Sequence, residues 1–168
     1  MLHVFHKLRE MDFYQLMQVY SQGNIENAQA FYSDLDPNVG RIRAEDDFYQ
    51  YLSEDFFRQP GAFYCVWLEN QQYVSALRLE PYQDGLLLEA LETHPEHRRK
   101  GYAATLLRSV QAYLTQQGVT AVYSHVHKRN TPSMAVHRAC GFVQHLDYAV
   151  YIDGTVTDRS CTLCWQPK

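Results

Sequence analysis

The run Leu88-Glu89-Ala90-Leu91-Glu92-Thr93-His94-Pro95-Glu96-His97-Arg98-Arg99-Lys100-Gly101-Tyr102-Ala103 holds the densest chemistry in the chain. A strand-like segment ends near Thr93, a turn contains Pro95, three cationic side chains follow, and a helix-like segment begins at Gly101. A helix N-terminus presents N–H groups without intrahelical partners and the positive end of the helix dipole. Gly101 lets a ligand approach the backbone closely, and the small Ala103 avoids a clash just beyond it. Arg98, Arg99 and Lys100 add long-range attraction for an anion. Together these features predict a cradle for a pyrophosphate. Each charge-assisted hydrogen bond in such a cradle is worth roughly 1.5–3 kcal/mol.

A second motif lies downstream. Val126-His127-Lys128-Arg129-Asn130 ends a strand-like run on an asparagine, and Asn130-Thr131-Pro132-Ser133 opens a short helix that closes at Cys140-Gly141-Phe142. The segment Arg98-Arg99-Lys100-Gly101-Tyr102-Ala103 resembles the R/Q-x-x-G-x-G/A signature of the GNAT N-acetyltransferases. The downstream pair resembles that family's V-x-x-x-N strand end and N-x-x-S/A…G-F helix. The likeness covers residues 61–152 well and residues 1–60 only by element order. A glycine loop alone is weak support; two motifs at the right distance and in the right order are strong. The resemblance implies acetyl-CoA as cofactor and no metal. It implies that the strands ending at Thr93 and His127 splay apart, with the backbone of Leu91 and Thr93 pairing with the pantetheine arm in the gap. Backbone from Arg98 through Arg99, Lys100, Gly101 and Tyr102 to Ala103 would hold the pyrophosphate. Asn130 and Ser133 would complete the cofactor set.

The implied reaction is direct attack of a primary amine on the acetyl thioester. An alkyl amine has a pKa of about 10.4 and must lose a proton. Glu92 and Glu89 lie on the strand beside the expected thioester, and the β-bulge often found there in the family would bring both to the acceptor face. Glu92 is the first candidate for base or amine anchor, and Glu89 the second. The family usually places a tyrosine as general acid at the position of His137. An imidazole there could protonate a thiolate with a pKa of about 8.5; it could equally be a packing residue, with water, Tyr148 or Tyr151 in the role. This departure supports a runner-up: a catalytically weak module that binds or senses acyl-CoA. His125 and His127 share one strand face without a third ligand nearby, so no metal site is expected.

These residues need positioning elements. Residues 2–8 read as a strand. Asp12 caps a helix carrying Phe13, Leu16, Met17 and Tyr20 at helical spacing, and Gln15 completes a capping-box pattern. Gly23 and Asn24 interrupt it, with a second piece over 25–32. Residues 36–40 read as a turn and 44–57 as a helix. Strands follow over 62–69, 73–80 and 86–93. A helix over 102–117 places Ala103, Leu106, Leu107, Val110 and Leu114 on one face. A strand over 119–127, a short helix opened by Pro132 and strands over 142–152 and 160–165 complete the chain. The order is β-α-α-β-β-β-α-β-α-β-β: an α/β fold with a mixed, mostly antiparallel central sheet and helices on both faces, in one acyltransferase domain spanning 1–168.

Composition narrows the class. Hydrophobic residues make up 46% and charged residues 20% of the 168, a globular balance. No apolar run is long enough for a membrane span, and the first residues lack a secretion signal, so a cytoplasmic protein is expected. Cys161 and Cys164 lie on one strand and face opposite sides, which does not suit a zinc knuckle. Net charge is −4, but residues 1–60 carry ten acidic and five basic side chains. That half includes Glu45, Asp46, Asp47, Glu54 and Asp55 among Phe48, Tyr49, Tyr51, Phe56 and Phe57. Carboxylates among aromatic faces suit a cationic amine of a small molecule or peptide. An acidic chain with no basic stripe argues against nucleic acid. The sequence itself is silent on oligomeric state; the resemblance allows a homodimer, since sheet-mediated dimers are common among such proteins.

Overall fold

Asp12 precedes the apolar repeat of residues 13–20, and in the computed structural model of the protein, which describes residues 1–167, it caps α1 (Phe13–Val19). Asp12 Oδ1 accepts the Gln15 N–H at 3.0 Å. The reciprocal half of the capping box is absent, because Gln15 Oε1 instead accepts the Tyr73 N–H at 2.8 Å and ties α1 to the sheet.

Seven strands form the sheet: β1 (Leu2–Phe5), β2 (Phe63–Glu69), β3 (Gln72–Tyr82), β4 (Gly85–Thr93), β5 (Val122–His127), β6 (Val143–Leu146) and, last in the chain, β9 (Ser160–Trp165), in the order β1-β2-β3-β4-β5-β9-β6. All neighbours are antiparallel except β4 and β5. Those two are linked by α4 (Tyr102–Gln116), whose buried Leu106, Leu107, Val110 and Leu114 form the predicted apolar stripe. A separate two-stranded ribbon, β7 (Ala149–Val150) with β8 (Val156–Thr157), surrounds the turn at Asp153-Gly154.

The sheet's two faces are packed differently. On the α4 face one cluster is continuous across the sheet, from Cys65, Leu77 and Leu88 through Leu106 and Leu107 to Val126, Cys161 and Leu163. On the opposite face the apolar packing is split. One cluster joins Leu16, Leu52, Phe56, Tyr64 and Ala76; another joins Tyr82, Leu87, Ala121, Tyr123 and Cys164. Between them β3, β4 and β5 contribute Arg78, Glu80, Glu89 and His125, so a polar stripe divides the apolar packing on this face.

The N-terminal half differs from the sequence expectation. Gly23 and Asn24 lie inside a continuous α2 (Ser21–Phe31), and the break is at Tyr20. Asn24 keeps its place because its side chain is buried against Met17, donating to Sδ at 3.3 Å. Residues 36–40 are not a turn but the start of α3 (Pro37–Gln50): Asp36 accepts from Asn38 N–H, Pro37 takes the first-turn position, and Gly40 packs against Tyr32. Residues 51–58 continue as a π turn and a 3₁₀ turn rather than as regular helix. Strand 142–152 is divided into β6 and β7. Residues 119–121 precede β5 instead of belonging to it, and α5 (Thr131–Ala139) opens as expected.

Candidate active site

The β4–β5 ladder is short. Leu86, Leu87 and Leu88 pair with Val122, Tyr123 and Ser124, and the pairing stops there. At the paired end Gly85 lies so close to Ala121 that a Cβ on it would sit 2.2 Å from the Ala121 carbonyl oxygen. The strands are therefore pinned at one end and separate towards Thr93 and His127. Beyond Leu88, β4 carries a bulge: Arg78 pairs with Glu89 and Ala76 with Glu92, so two residues, Ala90 and Leu91, face the single Leu77. Ala90 has φ of +52°. Its carbonyl accepts from the Tyr20 hydroxyl at 2.7 Å, and Tyr20 in turn accepts from Tyr64 at 3.2 Å. The extra residue shifts the alternation. Leu88 and Leu91 pack on the α4 side, Ala90 packs on the other, and Glu89 and Glu92 share that second face. His94 N–H bonds to Val74 on β3, so by strand alternation the backbone groups of Thr93 face the open side of the gap.

A cleft of about 710 Å³ occupies this gap and runs to the start of α4. Nine of the ten residues expected to bind cofactor line it: Leu91, Thr93, Arg98, Arg99, Gly101, Tyr102, Ala103, Asn130 and Ser133. Lys100 is exposed and lies outside the lining. Gly101 has φ of +83° and precedes helical Tyr102, a left-handed then right-handed succession that turns consecutive N–H groups to one side. A Cβ on Gly101 would meet nothing within 4 Å. Arg98 reaches back to β4, where Nε donates to the Thr93 carbonyl at 3.2 Å and Nη2 lies 3.5 Å from Glu92 Oε2. Glu92 also lines the cleft, and its pKa is raised by burial and by nearby Glu26, against the opposing charge of Arg98. Asn130 Oδ1 caps α5 by accepting the Ser133 N–H at 3.2 Å, which leaves its amide nitrogen uncommitted to the cap. Gln22, Gly23 and Glu26 of α2 form the far wall, a contribution the sequence reading missed when it broke the helix there.

His137 lies elsewhere than expected for a direct acid. It is 1% exposed and is not part of the cleft surface. Its Nδ1 is 2.8 Å from the Ser133 carbonyl, which requires the proton on Nδ1; Nε2 is buried without a partner. Burial lowers its pKa and favours the neutral ring. The imidazole thus presents no proton to the cleft, and its short ring packs edge-on against Phe142.

Two further cavities open on the same face of the sheet as Glu89 and Glu92. One, about 370 Å³, is bounded by Tyr20, Phe48, Arg78 and Ala90 and shares Gly23 with the cleft. The other, about 340 Å³, is bounded by Tyr51, Glu80, Glu89 and Tyr151. Of the five acids expected to line an acceptor site, only Asp47 reaches either cavity, and it is bonded to the Tyr32 hydroxyl. Glu45 is paired with Arg41, and Asp46, Glu54 and Asp55 are exposed. The negative charge nearest the bulge comes instead from β3 and β4.

A sequence model of the acetyltransferase (GNAT) family matches residues 26–142. The chain belongs to the GNAT family. Membership makes it an acyltransferase that uses acetyl-CoA. No curated protein sequence matches it. Its fold is shared by solved GNAT structures of low identity. The PaiA N-acetyltransferase of Thermoplasma acidophilum, in complex with coenzyme A, superposes with a TM-score of 0.68 at 12% identity over 99% of each chain. The ribosomal-protein-S18-alanine N-acetyltransferase of Escherichia coli gives 0.57 at 18% identity over 98% of this chain and 91% of that one. A streptothricin acetyltransferase of Bacillus anthracis with acetyl coenzyme A, itself a provisional assignment, gives 0.55 at 12% identity over 68% and 67%. The GNAT cleft fits the donor on its own geometry: an unobstructed left-handed glycine at a helix start, Arg98 and Arg99 in the lining, and a stretch of β4 without a β5 partner for an amide-bearing arm. Among the described residues no cluster of side chains could hold a metal, and no helix is long and apolar enough to cross a membrane.

Proposed function

We propose that the protein transfers an acetyl group from acetyl-CoA to a primary amine of a small molecule or peptide, and that the acceptor is cationic before it reacts. Acetyl-CoA supplies the activated acetyl thioester. The N–H groups at the start of α4, around Gly101, Tyr102 and Ala103, bind the pyrophosphate together with Arg98 and Arg99, while Lys100 attracts it from the surface. The backbone of Leu91 and Thr93, beyond the last β5 pair, bonds to the amide-bearing arm, with the Thr93 carbonyl shared with Arg98, and Asn130 and Ser133 bound the arm from α5. Glu92 takes the proton of the acceptor amine, directly or through one water, and burial, which raises its pKa, makes it a stronger base than an exposed glutamate. Glu89, already paired with Arg78 at 3.1 Å, anchors the acceptor. His137 holds Ser133 and the first turn of α5 in place, and the proton for the departing thiol comes from water.

The observation that carries this reading is the bulge, which sets Glu89 and Glu92 on one face of β4 beside the open strand edge. Thiol release from acetyl-CoA over a panel of amines and alcohols tests it. Primary amines should release thiol and alcohols should not. Cationic amines without carboxylates should react best, with kcat/KM falling as salt shortens the reach of the field to about 10 Å at 0.1 M. Thiol release with no amine in the panel would overturn the reading, as would a preference for anionic acceptors.

A further inference from the structure

The cavity between the two apolar clusters brings two carboxyl groups of neighbouring strands together, Glu80 and Glu89. Arg78 Nε pairs with Glu89 Oε2 at 3.1 Å, and its guanidinium lies over the rings of Tyr51 and Phe56, at 4.9 and 5.7 Å from their centroids. Glu80, on the same strand as Arg78, is 3% exposed, and its Oε2 is buried with no hydrogen-bond partner. Glu80 nevertheless lines the cavity together with Glu89. The cavity's rim adds the carboxylate of Asp153 in the β7–β8 turn. Arg78 is paired with Glu89 alone, so neither Glu80 nor Asp153 has an ion-pair partner among the described residues. On the same face His125 packs between Tyr82 and Tyr151, and burial lowers its pKa, which disfavours the charged ring. A buried carboxylate without a counter-ion is costly, and it either holds a proton or awaits a cation.

The walls suit exchange of such a proton for a cation. Tyr51 and Tyr151 place aromatic rings beside the carboxyl pair, the arrangement that favours an organic ammonium. A metal ion does not fit, since no group of ligating side chains among the described residues could hold one. About 340 Å³ accommodates a cationic head group and a short stem. Glu89 belongs to this cavity and is the first β4 residue past the last β4–β5 pair, so the cavity lies on the Glu89–Glu92 face of β4 where the two strands begin to part.

We propose that the cavity floored by Glu80 and Glu89 and walled by Tyr51 and Tyr151 binds a second ammonium group of the acceptor, making diamines the preferred substrates. The inference rests on the acetyl-transfer reading above and specifies its substrate class. Glu80 is a specificity residue in this assignment, recognising the end of the acceptor that does not react.

The test compares α,ω-diaminoalkanes with the n-alkylamines of the same carbon number, in the wild type and in Glu80→Gln. Gln keeps the shape and removes the charge, and unchanged affinity for coenzyme A by calorimetry verifies that the variant is folded. In the wild type the diamine should exceed the matched monoamine in kcat/KM by roughly tenfold or more, the size of one desolvated ionic contact. In Glu80→Gln that ratio should collapse towards one, and the ratio absorbs any general loss of activity. Equal kcat/KM for the two amine series in the wild type overturns the inference. So does a diamine preference that survives in Glu80→Gln. Both outcomes leave the acetyltransferase reading intact, whereas absence of thiol release with every amine removes that reading itself.

Discussion

An imidazole stands at position 137 where the family usually carries a phenol, and its consequences are measurable. The ring is buried, hydrogen-bonded through Nδ1 to the Ser133 carbonyl, and edge-on to Phe142. Replacing His137 with Phe keeps a ring against Phe142 and removes the unpartnered Nε2, at the loss of the Nδ1–H bond to the Ser133 carbonyl. Turnover should fall less than about tenfold, whereas loss of a direct proton donor costs about 10²–10⁴. A steady-state kcat reduced by the larger factor would return the acid role to the imidazole. Glu80 makes a second residue-scale prediction. Burial and the adjacent Glu89 raise its pKa from 4.5 to about 7, with Arg78 opposing. Between those values the folded protein binds more protons at this site than the unfolded chain. Its contribution to stability is therefore fully present below about 4.5 and is lost as pH rises through about 7. Urea unfolding at about pH 5 and about pH 8 should show a steeper loss for the wild type than for Glu80→Gln. Parallel pH profiles would show that the carboxyl is not held this way.

At the scale of elements, α4 and its glycine cap form the best-determined part of the site. Gly101→Glu should abolish coenzyme A binding by calorimetry while far-ultraviolet circular dichroism is retained. The new side chain enters the open space before α4, brings a negative charge to an anion site, and strains a left-handed residue by about 1–2 kcal/mol. Unchanged affinity would remove the pyrophosphate from this cradle. This element was legible in sequence because its signals are local: the stripe from Leu106 to Leu114, the glycine, and the basic triplet. The strand Ser160–Trp165 and the cap at Asn130 were equally plain. The α2–α3 region was not. Gly23 and Asn24 carry weak helix propensity, and what keeps them helical is burial of Asn24 against Met17 and packing of Gly40 on Tyr32, contacts between elements that no local pattern records. The acceptor side was misplaced for a related reason. The acids of residues 45–55 stand out by density, yet most face solvent. Glu80 reads as an ordinary polar residue in an alternating strand, and its burial is visible only when three strands are assembled.

At the scale of the molecule, the sheet consists of two parts, β1 to β4 and β5-β9-β6, joined by three residue pairs and by the α4-face cluster. On the other face the apolar clusters do not meet. A sheet joined in this way has two candidate cooperative units. Amide hydrogen exchange of the free protein should resolve them, with β5, β9 and β6 opening at a lower free energy than β2 and β3. A donor bonded to the edge of Thr93 and resting against α5 touches both units. At about 100 times Kd of coenzyme A, stability should rise by about 2.7 kcal/mol. Exchange in the C-terminal strands should slow until both units open together. If both units already exchange as one without ligand, the three-pair ladder and the α4-face cluster suffice to couple them. If they merge only when coenzyme A is bound, the donor substrate acts as the missing rung of the ladder, and the enzyme's folding cooperativity depends on its metabolic supply.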